Sequence, residues 1–482
     1  MGDRLKGRQK MRKTKIICTL GPASDSEEMI KELMLAGMNC ARFNFSHGSH
    51  EEHKARFDKV IAARRELDLP VATLLDTKGP EIRLRDFENG SIELKEGQHF
   101  ILTTDENVVG NEDIVSVTFK EMTNDVVKGS TILIDDGLVA LSVESIEGQN
   151  IHCVVMNGGK ISNKKGVNIP NIDVSMPFIS EKDRSDIIFG CELGFEYLAA
   201  SFTRTAQDIL DIREILDEHG GHMKIIAKIE SMQGVKNIDS ILDVVDGIMV
   251  ARGDLGVEVP LEDVPIIQKM IIKKCIKRGK ICVTATQMLD SMIHNPRPTR
   301  AEATDVANAV YQGTTAIMLS GETAAGKYPL QTVRTMARIA ARTEEDVDYA
   351  EQMQERIAVS QTSQTRAISH AATTLAHDIH AKALIVVTMS GYTGRRISSY
   401  HPTIPVIACT VRESVACQMN VLFGVKPLII PQQEKAELLF TSAISAAKKA
   451  GYVETGDSVV LAAGVPLGIS GKTNMLRVME VE

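Results

Sequence analysis

Lys228 and Glu230 stand two positions apart at the end of an apolar run, KIIAKIES, over residues 224–231. Side chains two apart on a β-strand share a face, so this strand would deliver an ammonium and a carboxylate to one place. A second run, DGIMVARGDLG, ends on Asp254. Two carboxylates meeting in an apolar cleft repel unless a hard cation lies between them, so Glu230 and Asp254 imply a divalent metal. Lys228 beside them adds a movable positive charge, which suits a reaction that shifts negative charge from one oxygen to another. The plainer alternative is a Lys228–Glu230 ion pair with no chemistry attached. Asp254 on the adjoining strand weighs against it.

Eight apolar runs have this form: TKIICTLGP, MNCARFNFSHG, PVATLLDTKGP, EYLAASFTR, KIIAKIES, DGIMVARGDLG, KICVTATQML and TAIMLSGET. Their polar ends, at Thr19, Ser46, Asp76, Thr203, Glu230, Asp254, Thr286 and Ser320, recur about every 30 residues, the length of a strand, a helix and two loops. One gap, from Asp76 to Thr203, is about 100 residues too long for that period. Eight βα units predict a closed parallel (β/α)8 TIM barrel whose active face lies at the C-terminal strand ends, where Arg42, Asn44, Asp76, Lys228, Glu230, Asp254 and Thr286 converge. The long gap alternates apolar and polar residues in SIELK, DIVSVTF, TILIDDGLVALSV and NIHCVVM, which predicts an inserted β domain. After the eighth unit and a charged helical stretch, KALIVV, IPVIACT, VKPLIIP and DSVVLAAGVP alternate with helical segments, as in an open α/β domain. The expected organisation is an arm over 1–13, a barrel over 14–78 and 177–345, an inserted mobile lid over 79–176 and an α/β domain over 346–482. Gly and Pro at both crossings, near Lys78–Pro80 and Met176–Pro177, suit hinges.

The chain has 482 residues and a net charge of −8. An acidic balance argues against nucleic acid as a partner, and no apolar run reaches the length of a bilayer span. The eight cysteines show no C-x-x-C spacing and fit a reducing, cytoplasmic setting. GETAAGK, residues 321–327, matches most of a P-loop, but Tyr328 stands where Ser or Thr should meet the metal. ISGKT near the C-terminus lacks the first glycine of that motif. His47, His50 and His53 recur at every third position, which on a helix does not keep the outer pair on one face. Ser49 and Glu52 there predict a capping box.

The segments MNCARFNFSHGSHEEH, LLDTKGPEIR, NKKGVNIP, IAKIES, IMVARGDLGVE, TATQMLDSMIHNPRPTRAEATDVANAV and IMLSGETAAGKYP resemble, in order and over nearly the whole chain, the signature segments of the pyruvate kinase family. The resemblance implies transfer of a phosphoryl group from phosphoenolpyruvate to ADP, giving ATP and pyruvate. It implies Mg²⁺ (or Mn²⁺) on Glu230 and Asp254, with Lys228 stabilising the transferring group. It places a K⁺ site on Asn44, Ser46, Asp76 and Thr77, and Glu81 is the residue type of K⁺-dependent members. Arg42 and Arg83 resemble the phosphate-contacting arginines. Asn44, His47, Arg83 and Lys165 fall at nucleotide-binding positions, with Lys165 carried by the inserted domain. Thr286 resembles the hydroxyl near the enolate face, the Gly253 and Asp254 backbone the receiver of the substrate carboxylate, and Ser320 and Glu322 supporting residues.

In the C-terminal domain Thr388, Ser390, Gly391 and Thr393 lie between a strand and a helix expected to begin near Arg395. They could form an anion site or simply cap the helix, and the resemblance favours the loop that binds a sugar-phosphate effector. The partner loop, Gly464 to Thr473, lacks the tryptophan and arginine of some fructose-1,6-bisphosphate-activated members, and Tyr392 replaces a basic residue. The expectation is therefore activation by a phosphorylated sugar or a nucleotide. The ending at MLRVMEVE matches members without an extra C-terminal domain, and a homotetramer is expected from the family. Two other readings remain at this stage. A metal-dependent aldolase or lyase would need neither the inserted domain nor a K⁺ site, and an inactive metabolite sensor would be expected to have lost Lys228 or a metal carboxylate.

Overall fold

A computed structural model describes residues 12–358, 363–464 and 473–482. Most of the N-terminal arm, the ISGKT glycine and lysine, and nearly all of the Gly464–Thr473 loop lie outside the described residues. The apolar runs become β1 (Lys15–Thr19), β2 (Cys40–Asn44), β3 (Ala72–Asp76), β4 (Tyr197–Ala200), β5 (Lys224–Ile229), β6 (Gly247–Ala251), β7 (Ile281–Ala285) and β8 (Ala316–Leu319). These strands close a barrel in sequence order, β1 pairing with β8, and every pairing is parallel. The runs carry apolar residues on both faces because both faces are covered: helices pack outside and side chains fill the interior.

Polar residues set where several of the barrel helices start. Ser49, Ser180, Thr205 and Thr299 each accept from the third backbone N–H of their helix, and Glu52, Asp183, Asp208 and Glu302 return the bond. Such reciprocal caps satisfy two otherwise orphaned donors. Because Thr205 caps the helix after β4, residues 201–204 are left as a loop at the barrel rim.

Between β3 and β4 the chain builds a seven-stranded sheet and a two-stranded one, Ser91–Leu94 with Gly159–Ser162. This insert has its own apolar core, including Phe100, Leu102, Ile132 and Ile151. Beyond the barrel, four parallel strands (Ala383–Val387, Val406–Thr410, Val425–Ile429 and Ser458–Ala463) are joined by an antiparallel edge strand, Met475–Glu480. One apolar cluster runs from barrel side chains such as Tyr197 and Met249 into Leu384 and Val425 of this sheet. The Tyr197 hydroxyl donates to Gln418 O at 2.6 Å and Lys15 Nζ to Val425 O at 2.7 Å. The C-terminal domain therefore seals the N-terminal end of the barrel and leaves the opposite rim to the insert.

Two details differ from the sequence reading. The charged stretch after β8 is two helices, Pro329–Glu344 and Tyr349–Ala358. Asp348 breaks it, its carboxylate accepting from the Ala350 and Glu351 backbone as a new helix begins. The edge strand Met475–Glu480 was unforeseen, because an edge strand with exposed residues lacks a continuous apolar signal.

Candidate active site at the barrel rim

Asp76, at the end of β3, is 1% exposed. Its Oδ2 accepts from Arg42 Nε at 2.6 Å, and its Oδ1 accepts from Lys228 Nζ at 3.2 Å. Arg42 also donates to Thr19 Oγ1 at 2.9 Å, so the ends of β1, β2 and β3 are tied together. Lys228 Nζ donates to Ser201 Oγ at 2.7 Å and lies 3.0 Å from Glu230 Oε1. The Ser201 hydroxyl in turn lies 2.6 Å from Thr77 O and 3.0 Å from Asp76 Oδ1. The Lys228–Glu230 ion pair anticipated as the plain alternative is present, but it is one edge of a larger network.

Glu230 is fully buried. Its Oε2 accepts from the Phe202 backbone N–H at 2.6 Å, a donor presented by a left-handed residue at φ 53°. Its Oε1 has no hydrogen bond, although the ammonium is near, because the approach is off the line a hydrogen bond needs. Burial pushes the Glu230 carboxyl up to about 8; Lys228 opposes this, and Asp254 and Asp76 add to it. Lys228 is driven the other way: burial lowers its affinity for the proton, but Asp76 and Glu230 outweigh burial and hold it above its ordinary value. A buried carboxylate with an orphaned oxygen and a second carboxylate nearby fits a divalent cation. Among the described residues no group of three or more His, Cys, Asp or Glu gathers at one point. A cation held by Glu230 and Asp254 would thus take its other oxygens from substrate or water, as Mg²⁺ sites commonly do.

Asp254 lies in the first turn of the helix Arg252–Glu258, directly after β6. The Gly253 N–H donates to Thr286 Oγ1 at 2.7 Å, so the Thr286 hydroxyl sits against the backbone proposed to receive a substrate carboxylate. Thr286 and Gln287 are consecutive left-handed residues after β7, at φ 68° and 52°. For a β-branched side chain this is a strained backbone. Arg252 holds it there by donating to Thr286 O at 2.7 Å while pairing with Asp305 at 2.7 Å. Glu322 accepts from the Ser320 and Leu289 backbone at 2.7 and 3.2 Å, which joins the loops after β7 and β8.

Asn44 and Asp76 are register partners on β2 and β3. Asn44 Oδ1 accepts from Ser46 N at 3.2 Å, and Thr77 follows Asp76 directly. These neighbouring oxygens suit a hard monovalent cation. His47 is exposed, and its carbonyl binds His53 Nε2 at 2.8 Å. His53 stacks on Phe45 and His50 meets Asp186 at 2.7 Å, so the His50 and His53 rings serve different contacts.

The insert's predicted residues are not part of the Lys228 network. Arg83 pairs with Glu81 Oε1 at 2.5 Å and donates to Lys164 O at 2.6 Å; Lys165 pairs with Asp135 at 2.9 Å. The insert nevertheless faces the rim across a cavity of about 120 Å³, lined by Glu81, Asp136 and Asn168 on one side and Asp254 and Glu258 on the other. Burial and then Asp254 push the Asp136 carboxyl up. In the C-terminal domain Gly391, at φ 76°, precedes the helix Tyr392–Ser398 and gives it no side-chain cap. That helix starts three residues before Arg395, with Gly391 rather than a hydroxyl residue at its N-cap. Thr388 is buried, Ser390 adjoins Gly391, and the Thr393 and Thr473 hydroxyls meet at 2.7 Å.

Sequence reasoning missed Ser201, Phe202 and Asp136. Ser201 could have been found as the first polar residue after β4, where Thr203 was marked instead; Thr203 turns back onto Ala200 O at 2.9 Å. Asp135 and Asp136 are both left-handed, at φ 54°, inside the IDDG turn.

An eight-stranded parallel barrel that gathers buried opposite charges at its C-terminal rim has the architecture of a barrel enzyme with its active face there. Residues 11–333 match the family described as pyruvate kinase, barrel domain, and residues 366–479 the one described as pyruvate kinase, alpha/beta domain. The pyruvate kinase of Clostridium acetobutylicum is 50% identical over 473 residues, 98% of this chain and 100% of that protein. The Geobacillus stearothermophilus pyruvate kinase is 50% identical over 97% of this chain and 80% of its own length. A crystal structure of a pyruvate kinase from Cryptosporidium parvum superposes with a TM-score of 0.94 at 40% identity, covering 98% of this chain and 96% of that one. The chain belongs to the pyruvate kinase family, whose members are phosphotransferases. Among the described residues no helix is long and apolar enough to cross a membrane.

Proposed function

We propose that this chain transfers the phosphoryl group of phosphoenolpyruvate to ADP at the barrel rim, with Mg²⁺ (or Mn²⁺) and K⁺ required. The observation that carries the reading is the Lys228 ammonium held among Asp76, Ser201 and Glu230, whose buried Oε1 accepts no hydrogen bond. Phosphoryl transfer depends mainly on positioning and charge neutralisation rather than on covalent help. A divalent ion between Glu230 and Asp254 would supply charge neutralisation for the oxygens around the reacting phosphorus. Lys228 donates to an oxygen of the transferring group, and Asp76 with Ser201 fixes where its ammonium points. Arg42, braced by Asp76, offers planar donors to the phosphate. The Gly253 and Asp254 backbone and the Thr286 hydroxyl orient the substrate carboxylate, and Thr286 stands on the path of the proton that completes pyruvate.

Asn44, Ser46, Asp76 and Thr77 hold K⁺, with Glu81 contributing the negative charge that makes K⁺ necessary. Asn44, His47, Arg83 and Lys165 meet the nucleotide when the insert over 79–176 closes on the rim and excludes water. The loop Thr388, Ser390, Gly391 and Thr393 takes a phosphorylated sugar or nucleotide that activates the enzyme, which works as a cytoplasmic homotetramer. The test is pyruvate formation from phosphoenolpyruvate and ADP with Mg²⁺, in K⁺ and in tetramethylammonium. ADP-dependent pyruvate that needs K⁺ is expected. Equal rates in the two salts would remove the K⁺ assignment, and no pyruvate in either would return the lyase reading.

A further inference from the structure

At the sealed end of the barrel the charge balance is the reverse of that at the rim. A small cavity of about 20 Å³ lies between the barrel and the C-terminal domain. Lys280, just before β7, Arg356 and Arg395 line it, and among the described residues no carboxylate does. Arg395 is matched from outside by Asp246 Oδ1 at 2.9 Å. Among the described residues the other two cations hydrogen-bond only to carbonyls: Lys280 Nζ donates to Val245 O at 2.7 Å and Arg356 Nη1 to Ser399 O at 3.3 Å. Arg356 is 8% exposed and Lys280 is half-buried. Asp246 acts on Lys280 and Glu355 on Arg356, but burial outweighs both, and a buried cation that is only partly offset is costly. Burial, reinforced by Arg395, pushes Lys280 down to about 8, and burial pushes Arg356 to about 10. His401, also on the wall, adds no charge, because burial drops its imidazole well below its ordinary value.

The backbone makes room for this arrangement. Gly313, at φ 84°, lies so close to Arg356 Nη2 that a Cβ there would collide with it, and at Gly279, at φ 64°, a Cβ would be in tight contact with Arg396 Nη1. The volume suits one occupant of about the size of a water molecule. Water would fill it without adding negative charge to a lining of three cations.

We infer that this cavity binds a single chloride ion between Lys280, Arg356 and Arg395. The ion would join the start of β7 to the helix Tyr392–Ser398, and so bind the C-terminal domain to the barrel.

Crystals of the full chain soaked in potassium bromide, with anomalous scattering measured at the bromine edge, test the position directly. Thermal unfolding in potassium gluconate with potassium chloride exchanged in at constant K⁺ and ionic strength tests the energetics. The expected results are an anomalous peak inside the cavity and a saturable rise in midpoint of about 2 °C or more, lost in Arg356→Met. A cavity holding only water under bromide, with no anomalous peak, would overturn the inference. So would a chloride response that persists unchanged in Arg356→Met. If that variant does not fold, the bromide peak in the unaltered chain decides alone.

Discussion

The two ends of this barrel solve the same problem with opposite signs. At the C-terminal rim, Lys228 and Arg42 are shared among carboxylates, and Glu230 keeps a buried oxygen with no hydrogen bond. At the N-terminal end Lys280 and Arg356, among the described residues, hydrogen-bond to carbonyls only, and the lining is positive. The scaffold is the same on both sides: parallel strands, buried on both faces, bringing charged loops together. The difference is size. The rim cavity facing the insert measures about 120 Å³, whereas the one beneath the C-terminal domain measures about 20 Å³, room for one small occupant. On the reading proposed above, the larger space serves a reaction and the smaller one a structural ion.

Breaking the rim's balance at its centre should have the largest effect. Lys228→Gln removes the ammonium that links Asp76, Ser201 and Glu230, and kcat/KM should fall about a thousandfold. Circular dichroism and the unfolding midpoint check that the variant still folds. A loss under tenfold would reduce Lys228 to an ordinary ion-pair partner.

The next effect sharpens the sign of the surplus. Without divalent cation, Glu230 keeps its proton up to about pH 8 in the fold, whereas a free glutamate loses it near 4.5. Through that window the folded chain binds more protons than the unfolded one, so stability falls as pH rises and is level below it. Chemical denaturation of metal-free protein from pH 5 to 8 should show this slope, and Glu230→Gln should flatten it. An unchanged slope in that variant would assign the effect to another group.

Ser201→Ala should have the smallest effect. It removes a 2.7 Å acceptor from Lys228 while leaving both of its carboxylates, so kcat should drop about fivefold with little change in the substrate KM. A drop as deep as that of Lys228→Gln would mean that the hydroxyl itself meets the reacting groups.

Much of the rim was legible because barrel strands end on polar residues at a regular interval, so Lys228, Glu230, Asp254 and Asp76 could be read from spacing. The bond from Lys228 to Asp76 was not, since it joins β5 to β3 across β4 and exists only once the barrel closes. Phe202 was invisible for another reason: its contribution is a backbone N–H aimed by a left-handed φ, and its side chain gives no hint of that. Asp136 and the cations at the sealed end became visible only when separate domains were packed together. Periodicity reports elements, whereas charge surplus is a property of their assembly.

The most direct test of the rim is titration of metal-free protein with Mg²⁺ at pH 7 by calorimetry in two buffers of different ionisation enthalpy. Binding to Glu230 and Asp254 should expel close to one proton per site, and Glu230→Gln should bind more weakly and expel none. Mg²⁺ binding without proton release, or with the same release in Glu230→Gln, would contradict the claim that Glu230, giving up its proton, holds the metal with Asp254.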